Sequence, residues 1–93
     1  MYEIEASNQF LKDLKLLRKR SLKDAELLLK IIDTLAQKGH KGLSIKHKPH
    51  KLSGKYKDFW ECHIKPDLLL IWSENDVLWL IELVRTGTHS DLF

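Results

Sequence analysis

The chain is 93 residues long, 43% hydrophobic and 31% charged, with a net charge of +3. That length holds one domain, residues 1–93, with one modest core, and the apolar content excludes an intrinsically disordered protein. A lone cysteine, Cys62, excludes an internal disulfide and fits a reducing cytoplasm; no apolar run nears bilayer length, and the acidic Glu3 and Glu5 stand where a signal peptide is basic, so no membrane partner is expected.

Tyr2 to Ala6 alternates apolar and polar residues, the pattern of a half-buried strand. Ser7 is a helix N-cap, and Phe10, Leu11, Leu14 and Leu17 then recur at helical spacing. Ser21 caps a second helix with Asp24 three residues on. Its apolar stripe is Ala25, Leu28, Leu29, Ile32, Leu35 and Ala36, and Gly39 ends it. The two amphipathic helices make a helical hairpin that needs an apolar partner. Residues 38–57 follow, with seven lysines, three histidines and no acid. Such a segment favours a polyanion through counterion release. Three strand-like runs come next, about 57–64, 68–73 and 77–84. Lys65-Pro66 and Glu74-Asn75-Asp76 separate them as hairpin turns. The order gives an α+β fold: an N-terminal strand, a helical hairpin, then a three-stranded antiparallel meander with the helices packed on the sheet.

A two-residue turn at Lys65-Pro66 sets His63 opposite Leu68, and one at Asn75-Asp76 sets Pro66 opposite Arg85. His63, Asp67 and Arg85 then share one end of the sheet, with opposed Cβ atoms ~5 Å apart. The tail, Arg85-Thr86-Gly87-Thr88-His89-Ser90-Asp91-Leu92-Phe93, has no regular periodicity and leaves from that end. His50, in the basic loop, is within reach of the same region. A single charged residue at a hairpin end only meets water; two histidines, an arginine and an aspartate together point to chemistry.

Histidine, Asp and Arg without a nucleophilic Ser or Cys suit acid–base work on a phosphate ester. RNA brings its own nucleophile, the 2′-hydroxyl. The protein need only remove that proton, stabilise the phosphorane and protonate the leaving 5′-oxygen. Arg85 is the phosphate-stabilising cation. His50, His63 and His89 are candidates for acid and base, without an assignment among them, and Asp67 orients a histidine or acts as the base. Phe93 offers a ring for base stacking. Lys48, Lys51, Lys55, Thr86 and Thr88 are the accompanying substrate contacts. No metal or other cofactor is expected: Cys62 and His63 are adjacent and point to opposite faces, and no CxxC or HxxxH pair is present. Cys62 shares its face with Trp60 and Ile64 as a core residue. Trp72 and Trp79 are expected to pack against the helices, and His40 and His47 to be surface loop residues.

The segments His50-Lys51-Leu52-Ser53-Gly54, Glu61-Cys62-His63-Ile64-Lys65-Pro66-Asp67 and Arg85-Thr86-Gly87-Thr88-His89, with the terminal Phe93, resemble the YafQ branch of the RelE/ParE toxin superfamily. The resemblance spans nearly the whole chain. It implies a RelE-like fold and the toxin of a type II toxin–antitoxin system, an endoribonuclease that cuts mRNA in the ribosomal A site beside 16S rRNA. It places functional roles on His50, His63, Asp67, Arg85, His89 and Phe93. It implies a cognate antitoxin as partner, operator DNA bound only through that antitoxin, and no metal. Two positions depart from the pattern. Leu68 follows Asp67 where the pattern has an aromatic, which removes one base-stacking ring and predicts an altered codon preference. Trp60 stands where close relatives often carry Arg. The alternatives are a ParE-like DNA gyrase inhibitor, a group that generally lacks the histidine set, and a non-catalytic RNA-binding module.

Overall fold

The computed structural model describes residues 1–93. Strand β1 (Glu3–Ala6) leads into helix α1 (Asn8–Arg20), where the Ser7 hydroxyl accepts from the Phe10 backbone N–H at 3.0 Å. Arg18, Lys19 and Arg20 fill the last turn of α1, where cations meet the negative end of the helix dipole. Ser21 is extended (φ −162°, ψ 109°) and serves both helices. Its N–H donates to the Leu17 carbonyl, closing α1, and its hydroxyl accepts from the Asp24 N–H, opening α2 (Leu22–Lys38). A single residue therefore turns the hairpin.

The buried stripe of α2 is Ala25, Leu28, Ile31 and Leu35. It is rotated from the expected one, and Leu29 is exposed, because the sheet lies against the Ile31 side. Gly39 ends α2 at φ +66°, and a Cβ there would lie 2.8 Å from a Glu74 carboxylate oxygen. Only glycine meets both demands without strain.

The basic segment is not a plain loop. It holds 3-10 turns at Gly39–Gly42, Ile45–His47 and Gly54–Tyr56 and a short strand β2 (His50–Lys51). Strands β3 (Trp60–Lys65), β4 (Leu68–Asn75) and β5 (Leu80–Gly87) form the meander, and the turn α3 (His89–Leu92) closes the chain. The sheet order is β1-β5-β4-β3-β2, antiparallel except for the parallel pair β1–β5.

Both faces of the sheet centre are covered. Cys62, Ile64, Leu70, Trp72, Ile81 and Leu83 pack with Phe10, Leu17, Leu28 and Leu35 under the helices. Leu69 and Ile71 pack on the other face with Tyr56 and Leu92. This two-sided burial is why Leu68 to Trp72 is apolar throughout rather than alternating.

Both hairpin registers differ from expectation. The first turn is Pro66-Asp67, with Lys65 opposite Leu68 and a bulge that sets His63 opposite Leu69. Proline suits the first corner of a turn, where its fixed φ is already in place. The second turn has four residues, Asp76 to Trp79, and pairs Asn75 with Leu80. The Asn75 side-chain oxygen accepts from the Val77 and Leu78 N–H groups and holds it open. Trp79 sits in that turn at φ +54°, half-exposed and 5.1 Å from the Tyr2 ring, rather than against the helices. A further bulge at Val84 completes the shift, so Arg85 faces Ile71 instead of Pro66.

Candidate active site

Strand pairing places the site on the face away from the helices. His50 pairs with Glu61, Glu61 with Ile71, and Ile71 with Arg85. His63 pairs with Leu69, and Leu69 with Gly87. Paired residues in a sheet project to the same side, and Leu69 and Ile71 belong to the outer cluster with Tyr56. His50, Glu61, His63 and Arg85 therefore line two adjacent rungs of that face.

The tail completes the group. Gly87 at φ +152° brings the chain around, and a Cβ there would sit 2.9 Å from an Asp91 carboxylate oxygen. Thr88 and Asp91 then form a reciprocal capping box that opens α3. These bonds hold His89 beside Asp67, whose Oδ1 accepts from both the His89 backbone N–H (3.0 Å) and its ring Nδ1–H (2.7 Å). The His89 N–H and then its ring hold the Asp67 carboxyl below the usual carboxylate range. An ionised carboxylate only accepts, so Nδ1 carries a proton and Nε2 is the nitrogen left for proton transfer. The His63 and His89 ring centroids are 5.9 Å apart, His50 and His63 are 6.4 Å apart, and Phe93 lies 6.5 Å from His89. The Phe93 ring is exposed and stands edge-on to Tyr56 at 5.9 Å.

Glu61 is the residue the sequence reading missed. Its side chain is 7% exposed, and one carboxylate oxygen lies 3.4 Å from His50 Nε2 and 4.0 Å from His63 Nε2. His50 also donates Nδ1–H to the Lys48 carbonyl at 2.7 Å, so both of its ring nitrogens face acceptors. The signal was present, since strand alternation puts residues 61 and 63 on one face. Tyr56 was missed too: it is buried between Phe59 and Phe93 and contributes to holding Arg85 protonated.

Arg85 is not beside Asp67. Its Nε and Nη2 donate to Asp13 of α1 at 2.8 and 3.2 Å, which raises its pKa against the opposing effect of burial. One edge of the guanidinium is thus fixed, and its other donors are left for an anion.

Several expected substrate contacts have structural partners instead. Thr86 is buried, and its hydroxyl donates to the Leu69 carbonyl at 2.7 Å while its N–H donates to Asp13. Thr88 caps α3. Lys51 pairs with Trp60 and lies over that ring, on the side of the sheet away from His50. Lys55 lies over Tyr56, and Lys48 is exposed beside His50.

His40 is no bare surface residue: it stacks on Trp60 at 3.9 Å and bonds Glu74 at 2.6 Å. His47 donates to the His63 carbonyl at 2.8 Å. Leu68 is enclosed in the main core, away from the cluster. Cys62 is fully buried, and burial pushes its thiol up to about 12, too high for a nucleophile. No three His, Cys, Asp or Glu side chains are grouped to hold a metal ion.

A family model described as the bacterial toxin of type II toxin–antitoxin system, YafQ, matches residues 2–93. The mRNA interferase toxin YafQ of Escherichia coli K12 is 41% identical over 91 residues, 98% of this chain and 95% of the relative. A metal-bound toxin from Helicobacter pylori superposes with TM-score 0.84 at 46% identity, with both chains covered completely. YafQ in the Escherichia coli DinJ–YafQ complex superposes with TM-score 0.79 at 36% identity, covering 100% of this chain and 99% of that one.

Proposed function

The chain belongs to the YafQ family of bacterial type II toxins, and from that membership we propose that it is an endoribonuclease that cuts mRNA in the ribosomal A site. What supports the chemistry is the His89–Asp67 pair standing next to His63 and His50. Two proton-transfer centres on either side of one phosphate are what RNA transesterification requires.

The substrate supplies the nucleophile. A base removes the 2′-hydroxyl proton, and the freed oxygen attacks the adjacent phosphorus. The bond to the 5′-oxygen breaks, and an acid protonates that oxygen, leaving a 2′,3′-cyclic phosphate and a 5′-hydroxyl. His89 Nε2 serves one proton transfer and the His50–His63 pair the other. Asp67 holds His89 in its tautomer and orientation, and Glu61 positions both other rings. The Arg85 guanidinium, braced by Asp13, meets the charge that grows on the phosphorane. Phe93 stacks on a base near the cut. Leu68 stands where the family pattern has a ring, but its side chain is enclosed in the core away from the cluster, so base stacking falls to Phe93 and codon preference is expected to be the same in Leu68→Trp.

The lysines of residues 38–57 that lie outside 46–48 contact ribosomal RNA, including 16S rRNA. An acidic antitoxin complements the same segment and neutralises the toxin, and operator DNA is reached only through that antitoxin. No helix is long and apolar enough to cross a membrane, and a cytoplasmic site of action follows from the ribosomal substrate.

Primer extension on mRNA held in programmed ribosomes tests this, with wild type and His89→Ala side by side. Codon-spaced cuts are expected from the wild type, unaffected by chelator and absent in the variant. No cuts from folded wild-type protein would shift the reading to gyrase inhibition or passive RNA binding.

A further inference from the structure

A cavity opens on the helix-covered side of β3 and reaches His63 at the unpaired edge of that strand. It has a volume of about 540 Å³ and lies between α2, the 3-10 turn Ile45–His47 and strand β3. Leu27, Ile31 and Ile64 form an apolar floor, and His63 forms its edge. Lys30 stands on one wall and Lys46 and Lys48 on the other, with no carboxylate in the lining. Lys65 also borders it but is paired with Asp24 at 3.1 Å. The cavity is more than a gap under a loop. His47 donates to the His63 carbonyl at 2.8 Å and ties the basic wall to the strand that carries the candidate catalytic histidine.

We infer that this cleft is a subsite for an unpaired ribonucleotide of the RNA strand, next to the one whose phosphate lies at His63. The inference rests on the ribonuclease reading of the neighbouring cluster. The apolar floor takes the face of a base, and lysines on opposite walls take the phosphates on either side of it. Lysine is a point charge without a fork geometry, so it follows a backbone without reading sequence. An apolar floor with no fixed hydrogen-bonding partner likewise accepts any base. An acidic protein segment is the less suitable occupant, because carboxylates would meet the lysines but leave the floor without a flat partner. The RNA strand then passes around the unpaired edge of β3, from His63 on the outer face to the cleft on the helix side. Phe93 and Arg85 hold one side of the cut, and the lysine-walled cleft holds the next nucleotide beyond His63.

The test uses the full-length protein, isotope-labelled, titrated with a short 2′-O-methyl oligoribonucleotide that lacks the nucleophile. Amide shifts are expected at His63, His89 and Phe93 and also at Leu27, Ile31 and Ile64. Lys30→Gln with Lys46→Gln should weaken binding about tenfold at low salt and lower the salt slope by about 0.7 per lysine. Lys30→Arg with Lys46→Arg should restore both, and unchanged urea unfolding should accompany each variant. Shifts confined to His63, His89 and Phe93 overturn the inference and leave the ribonuclease reading standing; silence at both regions also overturns the inference, and cutting on programmed ribosomes then decides the ribonuclease reading separately. A nucleoside monophosphate that fills the cleft as tightly as the oligonucleotide would make it a site for free nucleotides and overturn the inference. Loss of antitoxin affinity in the glutamine variant, with oligonucleotide affinity intact, would assign the cleft to the protein partner and also overturn it.

Discussion

Asp91 holds the terminal turn in place, and Asp91→Asn tests how much. Its carboxylate accepts from Arg20 Nη1 at 2.8 Å and from the Thr88 N–H at 2.9 Å. Arg20 first, then the Thr88 N–H, lowers its pKa from 3.8 to about 2. At ~1.36 kcal/mol per pH unit, that difference is worth at most about 2.4 kcal/mol. The Asp91 side chain is 26% exposed and that of Arg20 is 49% exposed, so solvent screening reduces it to about 1 kcal/mol. Asparagine keeps the shape and one cap acceptor and removes the charge.

A folded pKa below the unfolded one stabilises the ionised protein. The stabilisation is full above the ordinary carboxylate range and fades as pH falls from about 4 toward 2. The expected loss at pH 7 is about 1 kcal/mol, a fall in Tm of about 4–8 °C for a domain of this size. Thermal unfolding of both proteins at pH 7 and near pH 2 measures it, and the gap should close in acid. Equal Tm values at pH 7, or a gap that persists undiminished near pH 2, would refute the role given to this ion pair. Since Asp91 also fixes the turn that carries His89, kcat should fall in the variant while KM for RNA changes little.

Thr86→Val should lower stability by about 1–2 kcal/mol by leaving the buried Leu69 carbonyl without its donor. RNA affinity should not change, and a selective rise in KM would return Thr86 to the substrate. Glu61→Gln should lower kcat by about 10²-fold by removing the carboxylate charge that faces the His50 and His63 rings; steady-state cleavage against pH checks it, and wild-type kcat throughout would refute it. Leu68→Trp should lower stability by about 1–3 kcal/mol, because the side chain is enclosed by the main core. An unchanged Tm would mean that the ring turns outward toward Asp67.

Local rules made much of this protein legible. Ser7 and Ser21 read as caps because their hydroxyls serve N–H groups three residues on. Gly39 read as a stop because φ is positive there. The gathering of His50, His63 and His89 was legible from chain order, since short turns return each strand to its neighbour. Alternation also carried the position of Glu61 on the face of His63. The direction of Arg85 was not legible. Its neighbour is Asp13, on a helix 72 residues earlier, and no local pattern announces so distant a pair.

The sequence by itself determined the order of the main elements and the helix caps, because each depends on contacts within a few residues. Tertiary structure decided the register, through two bulges and a four-residue turn that composition does not specify. It also decided which polar side chains stay available. Thr86 and Thr88 are occupied by backbone groups, Lys51 lies over Trp60, and Glu61 is buried beneath two histidines. A buried polar group must find a partner wherever the packed fold provides one, and that partner is set by the whole sheet rather than by the neighbouring residues.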